Sequence, residues 1–404
     1  MTRRRVVDLT GARMDQGAAL IVRHALADMG PGDEVRVVGD DASLVPTLRA
    51  LARALGAPFT VEADGACVLG ASTHPDGRRT GGMLVPTAPA DHAHPRWGLA
   101  ARGTLVEAGG PEFAFPLAEK RAVWTDELAR LYAQAAAAQW DPATAIPWAE
   151  PRCDDDAVEA AVVQVMAYLV ENETAALLVP ARFCAQVHPH FREVLQLLAI
   201  QTADEARHIE VFTRRAGLEA PRGPGPAPMP PLSTVGGQTS LKSLVDEPDF
   251  ALASFLLSVL GEGSFLSLLR FLDRYAPDAV TRAVARLAAQ DEARHVAFGL
   301  AHLERQTALD PSLRPQLAAA VHARHDALAH TAGLNAEVFD ALVLIAGHQP
   351  NRPAWDPVGI ATGWNAVQEL IAEMDAGRQV RLRRLGFSGA EAAALSALHT
   401  RNFM

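Results

Sequence analysis

The chain of 404 residues holds only three cysteines, Cys67, Cys153 and Cys184, with no CxxC or finger spacing among them. That excludes a disulfide framework and a thiolate zinc site, and the reduced thiols make a cytoplasmic location the expectation. Positive charge is short as well. Against 47 Asp and Glu stand 37 Lys and Arg, and the formal charge of -10 removes the electrostatic case for nucleic acid or an anionic membrane as partner. No stretch of about 20 residues, the length a membrane helix needs, is apolar and free of charge. At the start, Arg3-Arg-Arg5 leads into Val-Val-Asp rather than into the apolar core of a signal peptide. What the chain does have is apolar residues, 49% of the total and ample for a buried core, and 14 histidines, many beside Asp or Glu. Metal is therefore the first chemistry to look for.

The length points to two domains. Arg5–Leu9 has strand character, Asp15–Met29 has helical spacing, and Pro31-Gly-Asp33 turns into a second strand at Glu34–Val38, a βαβ beginning. Asp40-Asp-Ala-Ser43 caps a further helix through Leu55, and strands are expected at Phe59–Glu62 and near Ala66–Gly70. Residues 1–70 thus read as a small α+β domain and 71–118, rich in Gly, Pro and His, as an irregular connector. From 119 to 404 the chain reads as one helical domain. Helices are predicted over Ala118–Trp140, over Asp154–Val179 with Pro180 as the stop, and from His188-Pro-His190 to Ala216. A Pro-rich linker, 217–247, separates these from helices at Pro248–Tyr275 and Pro277–Gln306, and shorter helices follow Pro315.

Across that linker a five-residue motif recurs. Asp-Glu-Ala-Arg-His stands at 204–208 and again at 291–295, each late in a helix and each preceded by a helix with an internal glutamate. The repeating unit is a helical hairpin, used twice. In Glu205-Ala-Arg-His208 and Glu292-Ala-Arg-His295, carboxylate and imidazole lie three apart and project from one helix face. Leu198, Val211 and Phe212 share the first stripe, Ala285, Ala288 and Phe298 the second, so both faces point inward. Charge so placed is costly unless compensated, and a divalent cation would do so. The preceding helices offer Glu262 and either Glu173 or Glu171. Glu173 is favoured, because aligning the hairpin turns at Pro189 and Pro277 puts it one residue out of step with Glu262. Four carboxylates and two histidines in this pattern are the ligand set of a dinuclear iron or manganese centre in a helical bundle, and hard oxygen donors suit those metals better than copper. Asp204 and Asp291 are placed to accept the outer N–H of the histidine on the opposite helix, with Arg207 and Arg294 to anchor them. Gly261 and Gly263 flank Glu262; close helix packing and a loosened backbone are both open readings.

Over about 154–306 these motifs resemble the ferritin-like di-iron carboxylate superfamily. Bacterial multicomponent monooxygenase hydroxylases, acyl carrier protein desaturases, ribonucleotide reductase small subunits and di-iron N-oxygenases share its ligand plan. The resemblance implies a ferritin-like four-helix bundle with extra C-terminal helices, with Glu173, Glu205, His208, Glu262, Glu292 and His295 as ligands and catalytic centre. It also implies two iron ions, or a manganese and an iron, that use dioxygen on a small organic substrate, with an external electron donor such as a ferredoxin or reductase. Where a reductase subunit has its radical tyrosine this chain has Phe212, and where the aminobenzoate-oxygenase-like N-oxygenases have an extra histidine it has Ala288. A monooxygenase or oxidase is therefore expected, with a homodimer as the candidate assembly. A ferritin-like storage protein and a binding protein with a relict site are the alternatives. Residues 4–65 resemble the TusA-like sulfur-carrier fold, with Met14-Asp-Gln-Gly17 where the carrier has its reactive cysteine. Sulfur transfer is thus not expected, and Cys67 reads as a buried inert thiol. Among the other histidines, His302 reads as core, His188 and His190 as near solvent, and His322, His325 and His330 as polar surface.

Overall fold

Val7, Val35 and Val37 alternate with less buried neighbours, and in the computed structural model they form the inward face of two parallel strands. Residues 3–30, 32–71, 83–107, 109–218, 230–328 and 336–399 are described. The His330 and most of the Pro221–Pro231 readings lie outside them. The chain divides into two units, Met1–Pro89 with His94–Phe113, and Ala90–Ala93 with Ala114–Met404.

In the first unit, β1 (Arg4–Asp8), α1 (Ala18–Ala27), β2 (Glu34–Val38), α2 (Leu44–Leu55), β3 (Phe59–Val61) and β4 (Cys67–Gly70) follow in order. The sheet runs β1-β2-β4-β3, parallel between the first two strands and antiparallel elsewhere. Val22 and Ala25 of α1 and Leu48 and Ala52 of α2 close its apolar side. Cys67 lies within this core, and burial pushes its thiol pKa up. A two-stranded ladder of β5 (Met83–Leu84) and β6 (Leu105–Val106) belongs to the same unit.

The second unit is helical among its described residues. The helix expected over Ala118–Trp140 is two shorter ones, α3 (Lys120–Val123) and α4 (Leu128–Ala137). Trp124 turns extended at φ -89°, ψ 147° and gives its indole N–H to Asp126 at 3.2 Å, a local bond that competes with helix. Asp155 caps α5 (Asp156–Cys184) by accepting the Ala157 and Val158 N–H groups at 2.9 and 3.1 Å. Pro180 does not stop α5 as expected. Its ring is buried, and beyond it Phe183 meets Phe250 edge-on at 4.9 Å while the Arg182 guanidinium stacks 4.6 Å from the Phe183 ring. Tertiary contacts thus hold the last turn despite the missing N–H.

A 3₁₀ turn at Pro189–Phe191 leads into α6 (Arg192–Ala216), which Gly217 ends at φ 65°. After α7 (Val235–Val245) comes one rod of three parts: α8 (Phe250–Ser254), a π-helical stretch Phe255–Glu262, and α9 (Gly263–Tyr275). It is followed by α10 (Ala279–Leu309), α11 (Leu313–Leu328), α12 (Ala336–Gly347), α13 (Pro357–Arg384) and α14 (Gly389–His399). The α5/α6 hairpin and the α8–α9/α10 hairpin form the four-helix bundle. Val165, Leu169, Phe212, Leu268 and Val284 lie at its centre, and α12 and α13 extend the same core. There Gly363 lies so close to α12 that a Cβ would overlap the Val343 carbonyl. By length and composition α5 and the Phe250–Tyr275 rod are each long and apolar enough to cross a bilayer, yet both serve here as inner helices of the bundle.

Arg215, fully buried, ties three bundle helices at one end. It donates 2.7 Å bonds to both Glu159 oxygens, to Asp278 and to the Thr281 hydroxyl. Removing the cation leaves the Asp278 carboxylate, 3% exposed, without its partner. Arg215→Met is expected to cost about 3 kcal/mol of unfolding free energy in urea titration, and a loss near zero would show the network to be replaceable by packing.

Candidate metal centre

The six expected side chains come together in the middle of the bundle. Glu173 reaches in from α5, Glu205 and His208 from α6, Glu262 from the end of the π-helical stretch, and Glu292 and His295 from α10. None is more than 5% exposed. They form two groups, Glu173-Glu205-His208-Glu292 and Glu205-Glu262-Glu292-His295, in each of which the donor atoms lie within 4.8 Å of one another. Glu205 and Glu292 belong to both, so the cluster has two positions joined by two shared carboxylates. Glu171, two residues and hence about 200° around α5 from Glu173, instead accepts the Gln238 side-chain N–H at 3.1 Å, facing α7.

The histidines are oriented crosswise. His208 Nε2 lies 3.2 Å from Asp291 Oδ2, and His295 Nε2 lies 3.2 Å from Asp204 Oδ2. Each outer N–H thus donates to an aspartate on the other hairpin, which leaves Nδ1 as a lone pair facing inward. His208 Nδ1 stands 3.3 Å from Glu205, 3.4 Å from Glu292 and 3.7 Å from Glu173. His295 Nδ1 stands 3.0 Å from Glu205, 3.6 Å from Glu292 and 3.9 Å from Glu262.

Behind the aspartates is a second layer. Arg207 bonds Asp204 and reaches Asp291 at 3.0 Å, and Arg294 bonds Asp291. Gln139 donates to Asp204 at 2.8 Å and accepts from Arg207 at 2.7 Å; the Trp140 indole N–H donates to Asp291 at 2.8 Å, beneath the Arg207 guanidinium. Gln201 donates to Glu262 at 2.8 Å, and the nearby Ser258 hydroxyl favours the charged form of that carboxylate. Sequence reasoning missed these four. Gln201 was findable, since it stands one turn before Glu205 on the same face. Gln139 and Trp140 come from the chain just past a separate short helix, and no spacing relates them to the motif.

The inner atoms themselves have no partners. Both oxygens of Glu205 and of Glu292, one each of Glu173 and Glu262, and Nδ1 of both histidines are buried without a hydrogen bond. Buried polar atoms are nearly always satisfied, so eight unsatisfied ones converging on one place call for something that binds lone pairs. Four carboxylates with two neutral histidines carry four negative charges, which two divalent cations neutralise. The residues present therefore fit a metal pair. Protons fill the gap otherwise. Burial, and next the Glu205 charge, push the Glu173 carboxyl up to about 8, and burial, then Glu292, raises Glu262. Burial opposes charge on both histidines, yet Asp291 and three glutamates hold His208, and Glu205, Glu292 and Asp204 hold His295, well above the usual range.

The remaining histidines lie elsewhere. His302 is fully buried between Phe250 and Phe298, and burial lowers its pKa to about 4, so it is neutral. His188 and His190 are not near solvent: each is 1% exposed. His188 caps its turn through the His190 N–H, and His190 accepts the Ala90 N–H at 2.8 Å. His322 is exposed, and His325 pairs with Asp326 at 3.3 Å. Phe212 tilts against His208 at 6.2 Å, while Ala285 and Ala288 are packed in the core.

No family model and no curated protein matches this chain. Among solved structures it is similar to R2-like ligand-binding oxidases. One variant with an aerobically reconstituted Mn/Fe cofactor shows 14% identity over 65% of this chain and 94% of that one, with a TM-score of 0.45. A variant with an aerobically reconstituted Fe/Fe cofactor gives the same four values. A Mn/Fe form after a long soak shows 15% identity over 65% and 93% with a TM-score of 0.39.

Two outcomes are expected. Between about pH 5 and 8 the metal-free folded chain holds more protons than the unfolded one, at Glu173, Glu262, His208 and His295, so its stability falls as pH rises through that window. Thermal unfolding at pH 5, 6.5 and 8 checks this, and saturating divalent metal should remove the decline. Asp291→Asn and Asp204→Asn, which disturb the bond to one histidine each, should weaken metal binding by roughly 10–100-fold in equilibrium titration.

Proposed function

We propose that the chain is a non-haem di-metal oxidoreductase that binds two iron ions, or a manganese and an iron, and uses dioxygen to oxidise a small organic substrate. The observation that carries this reading is the set of eight buried, partnerless donor atoms around two shared glutamates. A donor set rich in carboxylate oxygen with one imidazole per position suits iron and manganese. When bound, such ions supply electron exchange with dioxygen. The protein's own contribution is to hold the imidazoles fixed through Asp204 and Asp291, to share Glu205 and Glu292 between the positions, and to keep bulk water away with a surrounding core. Phe212 in place of a radical tyrosine favours oxidation of the chain's own substrate over radical supply to a partner. A monooxygenase outcome calls for an external electron donor, such as a ferredoxin or reductase in the cytoplasm. The N-terminal unit, with its carrier-like order of strands and helices and no cysteine at the start of α1, is read as a docking or structural unit.

Anaerobic titration with Fe(II) followed by exposure to oxygen tests the reading. Two ions per chain are expected, with a transient optical species on oxygenation. Glu205→Ala and Glu292→Ala should each weaken both positions, because each carboxylate is shared, whereas Glu173→Ala should spare the Glu262 position. Absence of bound metal would sink the proposal, and uptake of many irons per chain without a transient would replace it with storage.

A further inference from the structure

The rod that carries Glu262 is held from outside the bundle. In an α-helix the Val259 carbonyl would accept the N–H of Gly263, four residues on. Here the Gly263 N–H reaches back five residues to the Ser258 carbonyl, as a π-helical turn requires. The donor to Val259 comes instead from Arg381 of α13, whose Nε lies 2.7 Å from that carbonyl oxygen. The Arg381 guanidinium lies directly on Gly263, where any Cβ would overlap its Cζ, Nε and Nη2 atoms. One turn earlier on α13, Arg378, 2% exposed, donates to the Ser264 hydroxyl at 3.0 Å, and that hydroxyl bonds the Leu260 carbonyl at 2.8 Å. On its other side the turn is seated just as closely: a Cβ on Gly299 of α10 would overlap the Ser258 side chain.

Two arginines of one helix therefore grip the backbone just before Glu262 and the side chain two residues after it. Closing the π turn into an α-helix would shift the helical phase by one residue, about 100°, which would carry Glu262 off the axis of the cluster. We propose that Arg381, with Arg378 beside it, is a positioning residue for the Glu262 metal position: seated on Gly263, it holds the π turn in the register that presents the Glu262 carboxylate. Gly263 is then the contact surface for the guanidinium, and the C-terminal helices are part of the metal site's support. This rests on the two-metal reading above.

The test combines a metal-free and a metal-bound readout on the full chain. In the metal-free protein, Arg381→Met should speed amide hydrogen exchange across 259–264 at least tenfold while exchange in α5 and α6 stays as in the wild type. In anaerobic Co(II) and Fe(II) titrations it should bind the first equivalent normally and the second at least tenfold more weakly, with a changed Co(II) visible spectrum. Arg381→Lys, which keeps a donor but not the planar group, should recover part of the loss. Gly263→Ala should reproduce the defect by displacing the guanidinium, and the double variant should be no worse than the worse single one, since both break one contact. Failure of the wild type to bind metal would overturn the parent reading. Two tight equivalents and unchanged exchange in Arg381→Met would overturn this proposal alone, as would equal weakening of both equivalents, the mark of a merely structural role.

Discussion

Four carboxylates in a dry helical core repel one another, and the rest of the bundle is arranged around that repulsion. Glu173, Glu205, Glu262 and Glu292 meet with almost no exposure, and six of their eight oxygens have no hydrogen-bond partner. Such a grouping persists only if cations or protons enter it, because charges taken out of water cost several kcal/mol each. The raised proton affinity of Glu173 and Glu262 and the need for metal are two expressions of the same force.

The outer layer answers with opposite charge held at a distance. Asp204 and Asp291 each take one histidine N–H, so that each imidazole turns its free nitrogen inward, and Arg207 and Arg294 offset the two aspartates. Burial would otherwise raise these aspartates, but the bonds from the histidines hold both below the usual carboxylate range. Each pair joins one hairpin to the other, so the cluster also fastens the two halves of the bundle. The two positions are not equivalent. Glu262 receives a bond from Gln201 and sits at the end of a π-helical stretch, whereas Glu173 stands in regular helix and faces His208.

Much of this was legible in the letters. The twofold Asp-Glu-Ala-Arg-His motif names a carboxylate, an imidazole, an aspartate and an arginine on each helix, and helical geometry alone puts the first two on one face. Glu173 was separable from Glu171 by hairpin alignment, and the structure turns Glu171 toward Gln238. What was not legible came from contacts between distant segments. Pro180 reads as a stop because local chemistry says so, and only the packing of Phe183 on Phe250 carries the helix past it. His188 and His190 read as solvent-facing from their position at a helix start, yet both are buried, and the distant Ala90 gives its N–H to His190. Gln139 and Trp140 lie 65 and 151 residues from the aspartates they serve, beyond any periodic signal.

By itself, then, the sequence determined the helical hairpin repeat, the chemistry of its inner face and the small α+β unit at the start, because these follow from spacing along one helix or strand. Tertiary structure alone decided which carboxylates are shared, which aspartate meets which histidine, and how Glu262 is held. Those depend on how separate helices pack. Gly263 shows the difference most plainly: in the sequence it is a poor helix former beside a glutamate, and in the fold Arg381, 118 residues later, comes to rest on it at the π turn.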